Sequence, residues 1–62
     1  MTRFFVSADD ISGGIAYLCS DDMEHIRVLR LRPADLFVVC DGAGNDHICR
    51  LQERGSNIAQ IV

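Results

Sequence analysis

The sequence contains no lysine: all six basic residues are arginine, against nine acids, and the net charge is −3. That balance excludes a protein that holds nucleic acid by bulk positive charge. No stretch approaches the roughly 18 apolar residues of a membrane span. The opening Met1-Thr2-Arg3-Phe4-Phe5-Val6 is too short, and too soon followed by Asp9 and Asp10, to be an export signal. A cytoplasmic protein without a membrane partner is expected. Three cysteines are an odd number with no Cys-x-x-Cys pair, which points to reduced thiols rather than a disulfide framework or a zinc site.

Short length excludes more. A chain of 62 residues makes one domain and buries only about 60% of its unfolded surface. A core, a substrate pocket and a catalytic set do not fit together in it. Cys19, His25, Cys40, His47 and Cys49 are zinc-ligand types at poor spacing. Cys19 with His25, and Cys49 with His47, are nucleophile–base pairs lacking a third group. Gly42-Ala43-Gly44 follows a strand-like run but precedes another, whereas a phosphate loop opens a helix. No catalytic, cofactor-binding or metal-binding residue is therefore assigned.

What is present is a series of short β patterns. Arg3–Val6, Ile15–Cys19, Leu36–Cys40, His47–Leu51 and Ile58–Val62 read as strands, separated by a loop and turn from Asp9-Asp10 through Ser12-Gly13-Gly14 and by turns at Asp41–Asp46 and Glu53–Asn57. Ile15, Tyr17 and Cys19 share one face, as do His47, Cys49 and Leu51. Leu36–Cys40 is apolar throughout and predicts a central strand covered on both sides. One helix is expected near residues 21 to 28, capped by Ser20 or Asp21, with Glu24 completing a capping box and Met23 and Ile26 facing the core. From Leu29 to Arg32 the pattern returns to period two, which predicts extended backbone with Leu29 and Leu31 inward and Arg30 and Arg32 outward. Pro33-Ala34-Asp35 predicts a tight turn. The fold class is mainly β, a small barrel with one short α-helix.

Arg27, Arg30 and Arg32 fall in a stretch free of acids. Guanidinium groups bind phosphate in a two-pronged way and stack on bases. These three, with Arg3 and the neighbouring His25 as further contacts, are the candidate RNA-binding residues. The competing reading is a solvated face, in which Arg30 pairs with Asp35 and only shapes the turn.

Arg3-Phe4-Phe5-Val6, then His25-Ile26-Arg27-Val28-Leu29-Arg30-Leu31-Arg32-Pro33-Ala34-Asp35, then Asp41-Gly42 closing an apolar strand, resemble the start of the ribosomal RNA small subunit methyltransferase E family. The resemblance covers essentially all 62 residues, and Val28-Leu29-Arg30 is its specific part. Ala34 stands where the family has glycine, which favours a type I turn. The resemblance implies a PUA-like β-barrel acting as an RNA-binding adaptor. It further implies a following knotted SPOUT methyltransferase domain that binds S-adenosylmethionine, forms a homodimer and methylates N3 of a uridine in 16S ribosomal RNA of the small subunit. No residue of that domain is in these 62, and the strand pattern still running at Gln60-Ile61-Val62 suits the front part of a longer protein. Two roles stay open: a module that grips RNA, or a structural module packing on the methyltransferase domain or dimer partner with little RNA contact.

Overall fold

Gly13 and Gly14 both adopt positive φ, 58° and 78°, the backbone that a two-residue type I′ hairpin requires. They join β2 (Ile11–Ser12) to β3 (Ile15–Tyr17) in a small antiparallel ribbon. The computed structural model describes residues 1–62. The other elements are β1 (Arg3–Phe5), a 3-10 turn at Ala8–Asp10, α1 (Ser20–Leu29), β4 (Phe37–Cys40), β5 (Asp46–Leu51) and β6 (Ile58–Ile61). The six strands form one sheet in the order β1-β4-β5-β6-β3-β2, curled as a half-barrel. Only β1 and β4 are parallel, with Phe4 beside Val39; every other pairing is antiparallel. The mainly β class with one helix is thus what the chain adopts.

Period-two alternation decides what lies inside the curl. Phe4 on β1, Phe37 and Val39 on β4, Cys49 and Leu51 on β5, Ala59 on β6 and Ala16 on β3 point inward, joined by Leu18 and by Ile26 of the helix. The rings of Phe4 and Phe37 meet edge to face with centroids 5.3 Å apart, a favoured aromatic geometry. All four residues of β4 are buried, as its unbroken apolar run predicts. The face shared by Ile15 and Tyr17 turns out to be the outer one, because Ala16 and Leu18 take the core side.

Two expectations about the helix are corrected. Its N-cap is Cys19, which makes no side-chain cap bond, so the capping box of Asp21 and Glu24 does not form. The Glu24 carboxylate pairs with Arg27 instead. At the other end the helix runs on through Leu29, which is 43% exposed rather than inward. Arg30 is not extended but left-handed, at φ 57° and ψ 39°. Its N–H donates to the Arg27 carbonyl, and the N–H of Leu31 reaches back to the carbonyl of Ile26 at 3.1 Å. These two bonds make a Schellman motif, which satisfies carbonyls that a helix end would otherwise leave open. Leu31 then packs against the core that holds Ile26. Leucines at 29 and 31 mimic a strand in sequence; in the fold one ends the helix and the other seals it.

The turn at residues 33 to 35 is as predicted. The Asp35 N–H donates to the Arg32 carbonyl at 2.9 Å, Pro33 takes the first corner, and Ala34 keeps a negative φ.

Candidate functional site

A groove of about 760 Å³ runs between the flank of α1 and the β5–β6 turn. Its floor is apolar, from Met23, Ile26 and Leu31, and its rim carries Arg27, Arg30 and Arg54 with a single acid, Glu24. Glu24 is already engaged by Arg27, while Arg30 and Arg54 take part in no ion pair. On an acidic molecule this is a local concentration of unneutralised positive charge, the arrangement that draws an anion to one place.

Each guanidinium has a local reason for its position. Arg27 sits one turn after Glu24 on the same helical flank. Arg30 leaves the helix at the left-handed cap. Arg54 occupies the first corner of a turn closed by the Ser56 N–H on the Glu53 carbonyl at 3.2 Å. Gly55 follows at φ 81°, the positive value that a type II turn requires at its second corner. The turn therefore holds Arg54 on the wall facing the helix.

Of the five residues expected to contact RNA, the structure gathers Arg27 and Arg30 in this groove and sets the other three apart. Arg32 turns to Asp35: its backbone N–H donates to Oδ2 at 2.8 Å, and its Nε lies 3.7 Å from the same oxygen. The pairing considered for Arg30 belongs to Arg32. Arg3 donates to Asp46 Oδ2 at 2.7 Å and to the Cys40 sulfur at 3.4 Å. That hydrogen bond to Asp46 raises the guanidinium's pKa and, from the other side, lowers that of the Asp46 carboxyl. His25 stands on the helical flank opposite Arg27, two residues away, with its ring edge-on to Phe4 at 5.5 Å. Arg54 is the residue that reading the chain misses. It is distant in sequence from the arginine stretch, and its one signal is the Arg-Gly step inside a turn.

A second polar cluster locks the β4–β5 hairpin. The buried Asp41 accepts the N–H of Ala43 at 2.8 Å and that of Asn45 at 3.2 Å, together with Asn45 Nδ2 and His47 Nε2, each at 3.2 Å. The Ala43 N–H, followed by His47, holds the Asp41 carboxyl down at about 2. Ala43 and Asn45 belong to the turn and His47 to the first paired residues of β5, so the cluster fastens the loop to the strand that follows it. Nowhere do three His, Cys, Asp or Glu side chains come together as a metal set. All three cysteines are free thiols, Cys19 exposed and Cys40 and Cys49 buried. No helix is long and apolar enough to cross a membrane.

No curated protein and no solved structure shows a significant match to the chain. A family model described as the RNA methyltransferase PUA domain matches residues 18–62. The matched segment runs from Leu18 to Val62 and includes every residue that lines the groove. With this match spanning most of the chain, and a curled six-stranded sheet carrying one helix, the protein belongs to the RNA methyltransferase PUA domain family.

Proposed function

We propose that the chain is the RNA-gripping adaptor of an RNA methyltransferase, and that the groove beside α1 is where it holds RNA. The observation that carries this reading is the convergence of Arg27, Arg30 and Arg54 on one concave surface, inside the segment that matches the family. Guanidinium forks from two walls can grip the sugar–phosphate backbone. Such contacts position a protein without reading sequence, which is the work of an adaptor. Arg32, Arg3 and His25 remain outlying contacts for a longer strand.

The finer reading rests on the resemblance at Val28-Leu29-Arg30: a ribosomal RNA small subunit methyltransferase E, acting as a cytoplasmic homodimer on N3 of a uridine in 16S ribosomal RNA. S-adenosylmethionine is its methyl donor. The donor's sulfonium cation does not suit a groove rimmed by three guanidiniums, so no step of methyl transfer is derived from these residues. The adaptor's part is to hold the substrate for a methyltransferase domain.

RNA affinity measured over a salt series tests the proposal. The chain alone should bind with a dissociation constant on the order of 10⁻⁴ to 10⁻⁶ M, as other phosphate-dominated contacts do. Arg30→Glu and Arg54→Glu should each weaken binding and flatten its salt slope. Loss of stability with unchanged affinity and slope would place the RNA elsewhere.

The structural alternative draws on one observation. The outer face of the sheet exposes Phe5 (73%), Ile48 (47%) and Tyr17 (46%). That apolar surface suits packing against the methyltransferase domain. An Ile48→Asp change in the full-length enzyme should then lower its melting temperature without altering RNA affinity.

A further inference from the structure

We infer that the groove takes one unpaired nucleotide, its base on the apolar floor and its phosphates on the arginine rim, so that the ligand is single-stranded or bulged RNA and not a continuous duplex. This deepens the proposed function and rests on it. Three features point the same way. The groove's 760 Å³ lies within the roughly 300–1,000 Å³ typical of sites for small organic groups. A surface that met only the outside of a duplex would need charge but no cavity. Its floor is Met23, Ile26 and Leu31, which offers a phosphate nothing and a flat base a great deal. The thioether of Met23 adds favourable contact with an aromatic ring.

The third feature is the backbone of Arg30. It is the only residue other than glycine with a positive φ. Glycine fits that helix-ending position without strain. An arginine there brings to the groove a side chain that glycine lacks, and strain of this kind gathers at ligand sites. The left-handed cap ends the helix at the groove, and Arg30 lines the groove together with the residues of the floor. There it can stack on a base or fork onto its phosphate. Glu24, the one acid on the rim, is held by Arg27, which leaves Arg30 and Arg54 as the free cations on the two walls.

The test uses three RNAs of identical sequence: a single strand, its blunt duplex, and that duplex with one bulged nucleotide carrying a fluorescent purine analogue. Single strand and bulge should bind at least about tenfold tighter than blunt duplex, the worth of one stacked base. The analogue's emission should change on binding. Met23→Ala should erase that preference and leave the salt slope intact, whereas Met23→Leu, which keeps the floor filled, should retain it. Arg30→Gly, which relieves the backbone, should fold at least as well as the parent and still lose affinity for all three RNAs. Equal affinity for bulge and blunt duplex, with Arg30 and Arg54 still required, would overturn the nucleotide pocket and leave the RNA-binding reading standing. Affinity indifferent to Arg27, Arg30 and Arg54 alike would overturn both.

Discussion

Arg30 is the residue in which stability and use pull apart. A left-handed conformation costs an L-residue about 1–2 kcal/mol, and glycine recovers part of this at the expense of a more flexible unfolded chain. Arg30→Gly is predicted to raise stability by about 0.5–1 kcal/mol, a few degrees in the melting temperature of so small a domain. Thermal unfolding measures it directly. Asp41 makes the opposite kind of prediction. Its carboxyl is held at about 2 against an ordinary 3.8, chiefly by the Ala43 N–H. The depressed value means that the ionised form stabilises the fold fully above 3.8, and that this contribution drains away as the pH falls toward 2. A melting-temperature series across that window should slope downward into acid, and Asp41→Asn should flatten the slope while lowering the plateau. Asp46, lowered by Arg3, adds to the same acid limb. The Asp41 effect was half-visible in the chain. Asp41 reads as a turn residue from its glycines, but four donors converging on it are a product of the folded loop.

At the scale of elements, the end of α1 holds the groove together. The Leu31 N–H on the Ile26 carbonyl, with the Leu31 side chain against the same core, ties the helix to the strand layer. Ile26 is 4% exposed, and Ile26→Ala should cost about 2–5 kcal/mol, as deletions in well-packed cores do. Leu31→Ala should cost less, since the residue is only half-buried, and should loosen the cap first. Hydrogen exchange at the last turn of α1 would show that as faster loss of protection there than in β4 or β5. Five strands and one helix were legible from runs of β-branched residues, turn glycines and a lone acidic helix start. The Schellman end was not, because its usual glycine is absent and Leu29, Arg30, Leu31 and Arg32 alternate as a strand would. The second wall of the groove was hidden for another reason. Charge patterning sees neighbours in sequence, and Arg54 meets Arg30 only after β5 and β6 have brought their turn alongside the helix.

For the whole molecule, the thiols offer a reporter of global opening. Cys19 is exposed; Cys40 and Cys49 are buried, and burial pushes the Cys49 thiol further up. A thiol reagent should modify one cysteine quickly and the other two only at the rate of unfolding, because the thiolate is the reactive form and needs access. Denaturant should merge the phases into one. The topology adds a constraint in time. β1 finds its only partner in β4, from the Arg3–Val38 pair to Phe5–Cys40, so β1, once it has left the ribosome, waits for all of β2, β3 and α1 to follow. At ~5–20 residues per second of synthesis that is a few seconds, during which Phe4 and Phe5 travel with no β partner. The arginine before them is then a gatekeeper, a charge beside an adhesive pair of rings that keeps neighbouring nascent chains from joining there. In the finished fold the same side chain turns to Asp46 and clasps the first strand to the hairpin that closed over it.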